Sequence, residues 1–258
     1  MESAGGRSTR GRSYLRRIIL EAENISKSYK LNDKVIPILD HFDFQADTGE
    51  KIAVTGPSGS GKSTLLNLLS GLDKADSGDI RFKETKYADL SKEQMMNLRL
   101  TEFGYIFQAF HLISTLNAAD NILMPLAARK KKVLYSDLEP ICKKLGIENC
   151  LDHFPHQLSG GEQQRVAIAR ALIGNPSVIF SDEATGNLDR KNSVQVMDLL
   201  TECCSAQNVM LIFVTHDESL LRYADKVIRI PEGYEYDLTQ ESYLEKTGGT
   251  YTYVIQKN

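Results

Sequence analysis

The sequence predicts an α/β fold built around a mainly parallel sheet. Three observations carry that expectation. The runs KIAVT, SVIFSD and VMLIFVT are short and mostly apolar, as strands covered on both faces must be. Helical patterns lie between them, and strands alternating with helices of this size require a parallel sheet with crossover connections. One crossover opens on GPSGSGKST, Gly56 to Thr64, in the strand–loop–helix setting of a phosphate-binding loop.

In chain order the strand-like runs are IILEAENISKSY, VIPILDHFDFQ, KIAVT, DIRF, GYIF, SVIFSD, VMLIFVT and KVIRI. The helical patterns are STLLNLLSGL, SKEQMMNLRL, YSDLEPICKKLG, GGEQQRVAIARALIG and SVQVMDLLTECCSA. From about 91 to 157 the pattern is largely helical and reads as a helical insertion in the α/β core. The end of the chain, 233–258, is Tyr-rich with a Gly-Gly turn, and is expected to form a hairpin or an added strand. The expected organisation is therefore a tail at 1–17, one domain at 18–232 and an extension at 233–258.

Composition narrows the class. A chain of 258 residues can bury a sizeable core, and 41% hydrophobic with 25% charged residues excludes disordered, collagenous and coiled-coil readings of the whole chain. No apolar run approaches the roughly 18 residues that a membrane span needs. The net charge of −3 argues against a general nucleic-acid binder. Charge is uneven, however: 1–17 carries five arginines against one glutamate, a net of +4. That segment lacks the apolar stretch of a secretory signal. It suits a disordered tail or an arm drawn to anionic lipid. Cys142, Cys150, Cys203 and Cys204 show no metal-site spacing and are expected as reduced thiols.

Three strings carry chemistry. In GPSGSGKST the glycines permit positive φ and bring backbone N–H groups against phosphate, and the helix N-terminus adds its positive dipole end. Gly56, Ser58, Gly59, Ser60, Gly61 and Thr64 are the expected cradle. Lys62 places a cation on the β- and γ-phosphates, and the Ser63 hydroxyl is a ligand for Mg2+. In SVIFSDEAT an apolar strand ends in Asp182, positioned for Mg2+, and Glu183, positioned as general base for an attacking water. In LSGGEQQRVAIARAL, Ser159, Gly160 and Gly161 open a helix with bare N–H groups and a hydroxyl. That is a second anion cradle, without a lysine, although Ser-Gly-Gly before Glu is also an ordinary helix cap. One nucleotide needs one P-loop, so a second cradle in the same chain suggests service to a nucleotide held by another subunit. His216, at the end of VMLIFVT, belongs at the carboxyl edge of the sheet, where ligands gather in open α/β folds.

With these motifs the sequence resembles the nucleotide-binding subunits of ATP-binding cassette (ABC) transporters over about 18–230. LSGGE matches the family signature, GPSGSGKST its P-loop and SVIFSDEAT its acidic strand end. The resemblance implies a P-loop cassette with an N-terminal antiparallel β subdomain and a helical subdomain. It implies that Gln108 links Mg2+ to the membrane-subunit contact and that Asn187-Leu188-Asp189 forms a loop at the dimer interface. It also implies that His216 contacts the γ-phosphate and that Tyr29 stacks on adenine, where strand packing alone would also explain the tyrosine. The family usually has proline after the catalytic glutamate; this chain has Ala184, which should loosen the turn without removing a chemical group.

The cofactors implied are ATP and Mg2+. The partners implied are a second copy of the chain, closed head to tail, and a separate membrane permease gripped near Gln108 to Leu116. Phe107, Phe110 and Leu112 are the candidates for that apolar groove. The implied place is the cytoplasmic face of the inner membrane, with no nucleic-acid partner. LLNLLSGLDKADSGDIRF and DEATGNLDRKNS are similar to the lipoprotein-releasing, macrolide-exporting and cell-division-associated ATPases. Export, lipoprotein release, mechanotransmission and division signalling without transport all remain open. Soluble ABC ATPases of nucleic acid or ribosomes usually carry two cassettes or a coiled-coil insertion, and this sequence has neither.

Overall fold

The structure is a computed structural model. It describes 17–31, 34–130, 136 and 138–231, with the backbone of 243–247 and 250–254. The basic tail, apart from Arg17, and the rest of the C-terminal extension lie outside the described residues.

The chain begins with strands β1 (Ile18–Leu31), β2 (Lys34–Asp47) and β3 (Lys51–Thr55), then helix α1 (Lys62–Leu69). Strands β4 (Ser77–Phe82) and β5 (Thr85–Lys86), helix α2 (Lys92–Glu102) and strand β6 (Phe103–Phe107) follow. Helices α3 (Ala118–Ala128), α4 (Glu139–Leu145) and α5 (Gly160–Leu172) lead to β7 (Val178–Asp182). Helix α6 (Arg190–Gln207) and strands β8 (Met210–Val214), β9 (Lys226–Arg229), β10 (Tyr243–Thr247) and β11 (Thr250–Val254) complete the order.

Two sheets result. One is antiparallel, in the order β2-β1-β4-β5. The other runs β10-β11-β9-β3-β8-β7-β6 and is parallel from β11 to β6. The C-terminal backbone supplies both expected forms: β10 and β11 make a hairpin, and β11 adds to the parallel sheet beside β9.

The parallel strands are apolar throughout because both faces are covered. Alternation along β7 shows it: Ile179 packs with the helices α3, α5 and α6, while Phe180 packs on the other face with β1, β4 and α1. Phe180, Phe103 and Phe82 meet edge to face there, at 5.2 and 5.0 Å between ring centres. The four cysteines are free and buried, and burial pushes the Cys204 thiol up to about 12, so it stays protonated at neutral pH.

Within the largely helical stretch 91–157, the strand-like run GYIF forms β6, which pairs with β7 as a member of the core sheet. The helices beyond it, α3 and α4, pack on α5. Helix α4 starts at Glu139 with a proline in its first turn, later than the pattern YSDLEPICKKLG suggests. Helix α6 starts earlier than its apolar pattern, because the Asp189 carboxylate accepts from the Asn192 backbone N–H at 2.9 Å.

Candidate active site

The loop between β3 and α1 can be built only with glycine at two points. Gly56 has φ +150°, and a Cβ there would lie 2.2 Å from the Ile230 carbonyl oxygen. Gly61 has φ +100°, and its Cβ would lie 2.6 Å from Cγ2 of Ile38. Within this loop the Ser60 hydroxyl is buried without a hydrogen-bond partner. Lys62 is 6% exposed as a residue, and its ammonium donates to the loop carbonyls of Gly56 and Pro57. Burial lowers its pKa, against the raising influence of Glu183 and Asp182. A buried cation resting on its own loop, with an orphaned hydroxyl beside it, is a site prepared for an anion.

The sheet register brings the other groups to the same edge. Phe107, Asp182, Val214 and Val54 form one row across β6, β7, β8 and β3. The next residues, Gln108, Glu183, Thr215 and Thr55, therefore project from the carboxyl edge together. Ser63, in the first turn of α1, donates from Oγ to Oδ1 of Asp182 at 3.2 Å. Burial raises the Asp182 pKa, with Glu183 adding to it and the Ser63 bond, Lys62 and His216 opposing. The Glu183 carboxylate meets Nε2 of His216. Beside that pair opens a cavity of about 450 Å³, bordered also by Thr185, Arg190 and Asp217.

The expected metal donors are only partly assembled. Ser63 and Asp182 touch, whereas Gln108 is turned toward the 185–187 turn. Its side-chain amide lies against Gly186, where a Cβ would be 2.8 Å away, and its backbone carbonyl accepts from the Asn187 side chain at 2.9 Å. Among the described residues no cluster of three or more His, Cys, Asp or Glu could enclose a metal. A hydroxyl, one carboxylate and an amide oxygen instead suit Mg2+, which keeps several waters and takes further oxygens from phosphates.

The second cradle is formed but stands apart. Ser159 caps α5: its Oγ accepts from the Glu162 N–H at 3.4 Å, while its own N–H and Oγ–H donate to the Glu162 carboxylate at 2.8 and 2.6 Å. Those bonds hold Glu162 below the usual carboxylate range. Among the described residues, no hydrogen bond or ion pair links 159–161 to 56–64. Asp189 is committed to capping α6. Tyr29, on β1, is 41% exposed and donates from its hydroxyl to Asp73 at 2.8 Å.

Sequence reasoning missed two residues near these sites. Arg170 on α5 is 8% exposed, and its guanidinium holds the carbonyls of Phe110 and His111. Both of those residues have positive φ, +60° and +47°, just beyond Gln108. A lone arginine in the apolar run VAIARAL was the available signal. Asp73 is the other, and nothing local in GLDKADSG marks it. Of the apolar groove candidates, Phe107 and Phe110 are half-buried, and Leu112 packs against the core.

A P-loop on a parallel sheet, an acidic strand end, a histidine on the next strand and a capped Gly-Gly helix together define a P-loop nucleotide hydrolase of the cassette class. A family model described as ABC transporter matches 39–186, and the chain belongs to that family. It is 40% identical to an uncharacterised ABC transporter ATP-binding protein of Methanocaldococcus jannaschii, across 83% of this chain and 96% of that protein. It is 39% identical to the lipoprotein-releasing system ATP-binding protein LolD of Hydrogenovibrio crunogenus, across 84% and 95%. It is also 39% identical to the macrolide export ATP-binding/permease protein MacB of Syntrophobacter fumaroxidans, where the match covers 83% of this chain and 31% of that one. Among solved structures it is similar to a dimeric bacterial ABC transporter cassette, with a TM-score of 0.76 and 34% identity, covering 83% of this chain and 94% of the other. A post-hydrolysis dimer of that cassette, bound to ADP and Pi, is equally similar. The chain is an ATPase of this family.

Proposed function

We propose that the chain is the ATP-hydrolysing subunit of a membrane machine. Two copies close head to tail on two ATP molecules, and closure and hydrolysis move a separate permease. The observation that carries this is that one chain has two glycine-bearing helix starts, the P-loop at α1 and Gly160-Gly161 at α5, with no hydrogen bond or ion pair between 56–64 and 159–161 among the described residues. The dimeric cassettes to which the chain is similar support the closure, and its match to nearly the whole of LolD supports work beside a separate permease.

In this reading Lys62 leaves the carbonyls of Gly56 and Pro57 for the β- and γ-phosphates. The loop from Gly56 to Gly61 and Thr64 cradles them, with Ser58 and Ser60 as hydroxyl donors. Ser63 and Asp182 would hold Mg2+, with Gln108 as the third donor. Bound there, Mg2+ neutralises phosphate charge. Glu183 takes the proton of the attacking water, and His216, already against that carboxylate, contacts the γ-phosphate. Ser159, Gly160 and Gly161 cover the γ-phosphate of the partner's nucleotide, with Asn187 to Asp189 at the interface. Tyr29 stacks on adenine.

The permease is gripped near Gln108 to Leu116, with Phe107, Phe110 and Leu112 bordering the groove. No helix among the described residues is long and apolar enough to cross a membrane. The subunit is placed peripherally, on the cytoplasmic face of the inner membrane. LolD and MacB favour lipoprotein release or export over division signalling and over nucleic-acid work. Affinity purification from detergent-solubilised membranes tests the reading. Recovery of a permease with a large external domain is the expected result; recovery of ribosomes or DNA without a membrane protein overturns it.

A further inference from the structure

We infer that Asp73 and Lys27 are positioning residues for the nucleotide base: together they fix the ring of Tyr29 as a one-faced platform for a purine. The inference rests on the reading of Tyr29 as the base-stacking residue and adds the device that makes it one.

Lys27 and Tyr29 are two apart on β1 and so share a face. The Lys27 ammonium lies over the Tyr29 ring, 5.1 Å from its centre. That cation is buried and cannot swing away. It donates to Asp73 Oδ1 at 3.0 Å and to the Lys74 carbonyl at 2.7 Å, with Asp76 3.7 Å away. Asp76 is itself fixed by Ser28, which donates from both N–H and Oγ. The second oxygen of Asp73 accepts from the Tyr29 hydroxyl at 2.8 Å. One carboxylate thus pins the tip of the ring and the cation above it.

The anchor lies in the right part of the fold. Asp73 follows the end of α1, whose first turn carries Lys62, Ser63 and Thr64. A strand of the antiparallel sheet is thereby tied to the segment that follows the phosphate-binding helix. Across the ladder, Tyr29 faces Ile36. Ile38, at a bulge further along β2, packs against the place of a Cβ at Gly61. Lys27 lies over one face of the ring of a residue that is 41% exposed, so the base is assigned to the opposite face.

A free tyrosine at a strand tip would sample several rotamers and would have to be ordered by each base it meets. A pinned one meets the base already oriented, and a cation behind the ring polarises it. The consequence is separable from phosphate binding, because none of the latch residues belongs to the P-loop.

Calorimetric affinities for ATP and for inorganic tripolyphosphate, both with Mg2+, test this on the full chain. Tyr29→Ala is expected to weaken ATP and leave tripolyphosphate unchanged; unchanged ATP affinity there removes the base-platform reading and this inference with it. Given that loss, Asp73→Ala and Tyr29→Phe are each expected to weaken ATP about five- to tenfold, within the range of a base–aromatic stack. Neither should change tripolyphosphate affinity, and the double variant should lose no more than either single change. Wild-type ATP affinity in Asp73→Ala, or equal loss for ATP and tripolyphosphate, overturns the latch while leaving Tyr29 as the platform. The tripolyphosphate arm also reports whether each variant has folded.

Discussion

Glu183 has φ +48°, a left-handed conformation that costs a non-glycine residue about 1–3 kcal/mol. Its surroundings hold it there. His216 meets its carboxylate, and the Gly186 N–H donates to its carbonyl at 2.9 Å. With Ala184 in the place where the family usually has proline, the turn carries the Gly186 bond to the Glu183 carbonyl, and Ala184 is buried in the core. The expected consequence is a competent base. Glu183→Gln should retain ATP binding, trap a dimer visible by size-exclusion chromatography, and lower turnover about 100-fold or more. An unchanged turnover would remove Glu183 from that role.

At the scale of elements, α5 does two things. Its N-terminus presents the Ser159 cradle, and its last turn carries Arg170, which ties the strained Phe110–His111 segment to the helix. Arg170 thus links the segment that follows Gln108 to the helix bearing the cradle. Arg170→Met leaves two carbonyls of strained residues without their donor and should cost about 2–4 kcal/mol in urea unfolding. A cost within error of zero would mean that the segment holds its shape by packing alone. Ser159→Arg puts a long cation where a partner's phosphate would sit. We expect ATP binding by the single chain to survive and hydrolysis to disappear; persistent hydrolysis would show that the cradle does not face a partner's nucleotide.

At the scale of the whole molecule, the chemistry gathers on one edge of the parallel sheet, and the opposite edge is held by groups with no part in it. Glu102, at the end of α2, is one of these. Burial raises its pKa, but the bonds to Lys83 at 2.8 Å and Ser177 at 2.5 Å outweigh that and leave it lowered from 4.5. A lowered carboxylate contributes stability that is complete above its unfolded value and is lost as pH falls through the folded one. Thermal melts at about pH 6 and pH 3.5 should therefore show a smaller acid-induced fall in Glu102→Gln than in the parent, with ATPase activity at neutral pH unaffected. Equal falls would sink the assignment. The apolar strands, the P-loop, the Asp182-Glu183 end and the Ser159 cap were legible from the sequence, because each depends on neighbours within a few residues, through periodicity, glycine conformations and capping. The pairing of β6 with β7 in the core sheet, the latch of Asp73 on Tyr29 and the grip of Arg170 on Phe110 and His111 were not. Each joins groups tens of residues apart, and only the folding of the two sheets and α5 against one another determines which buried charge meets which distant oxygen.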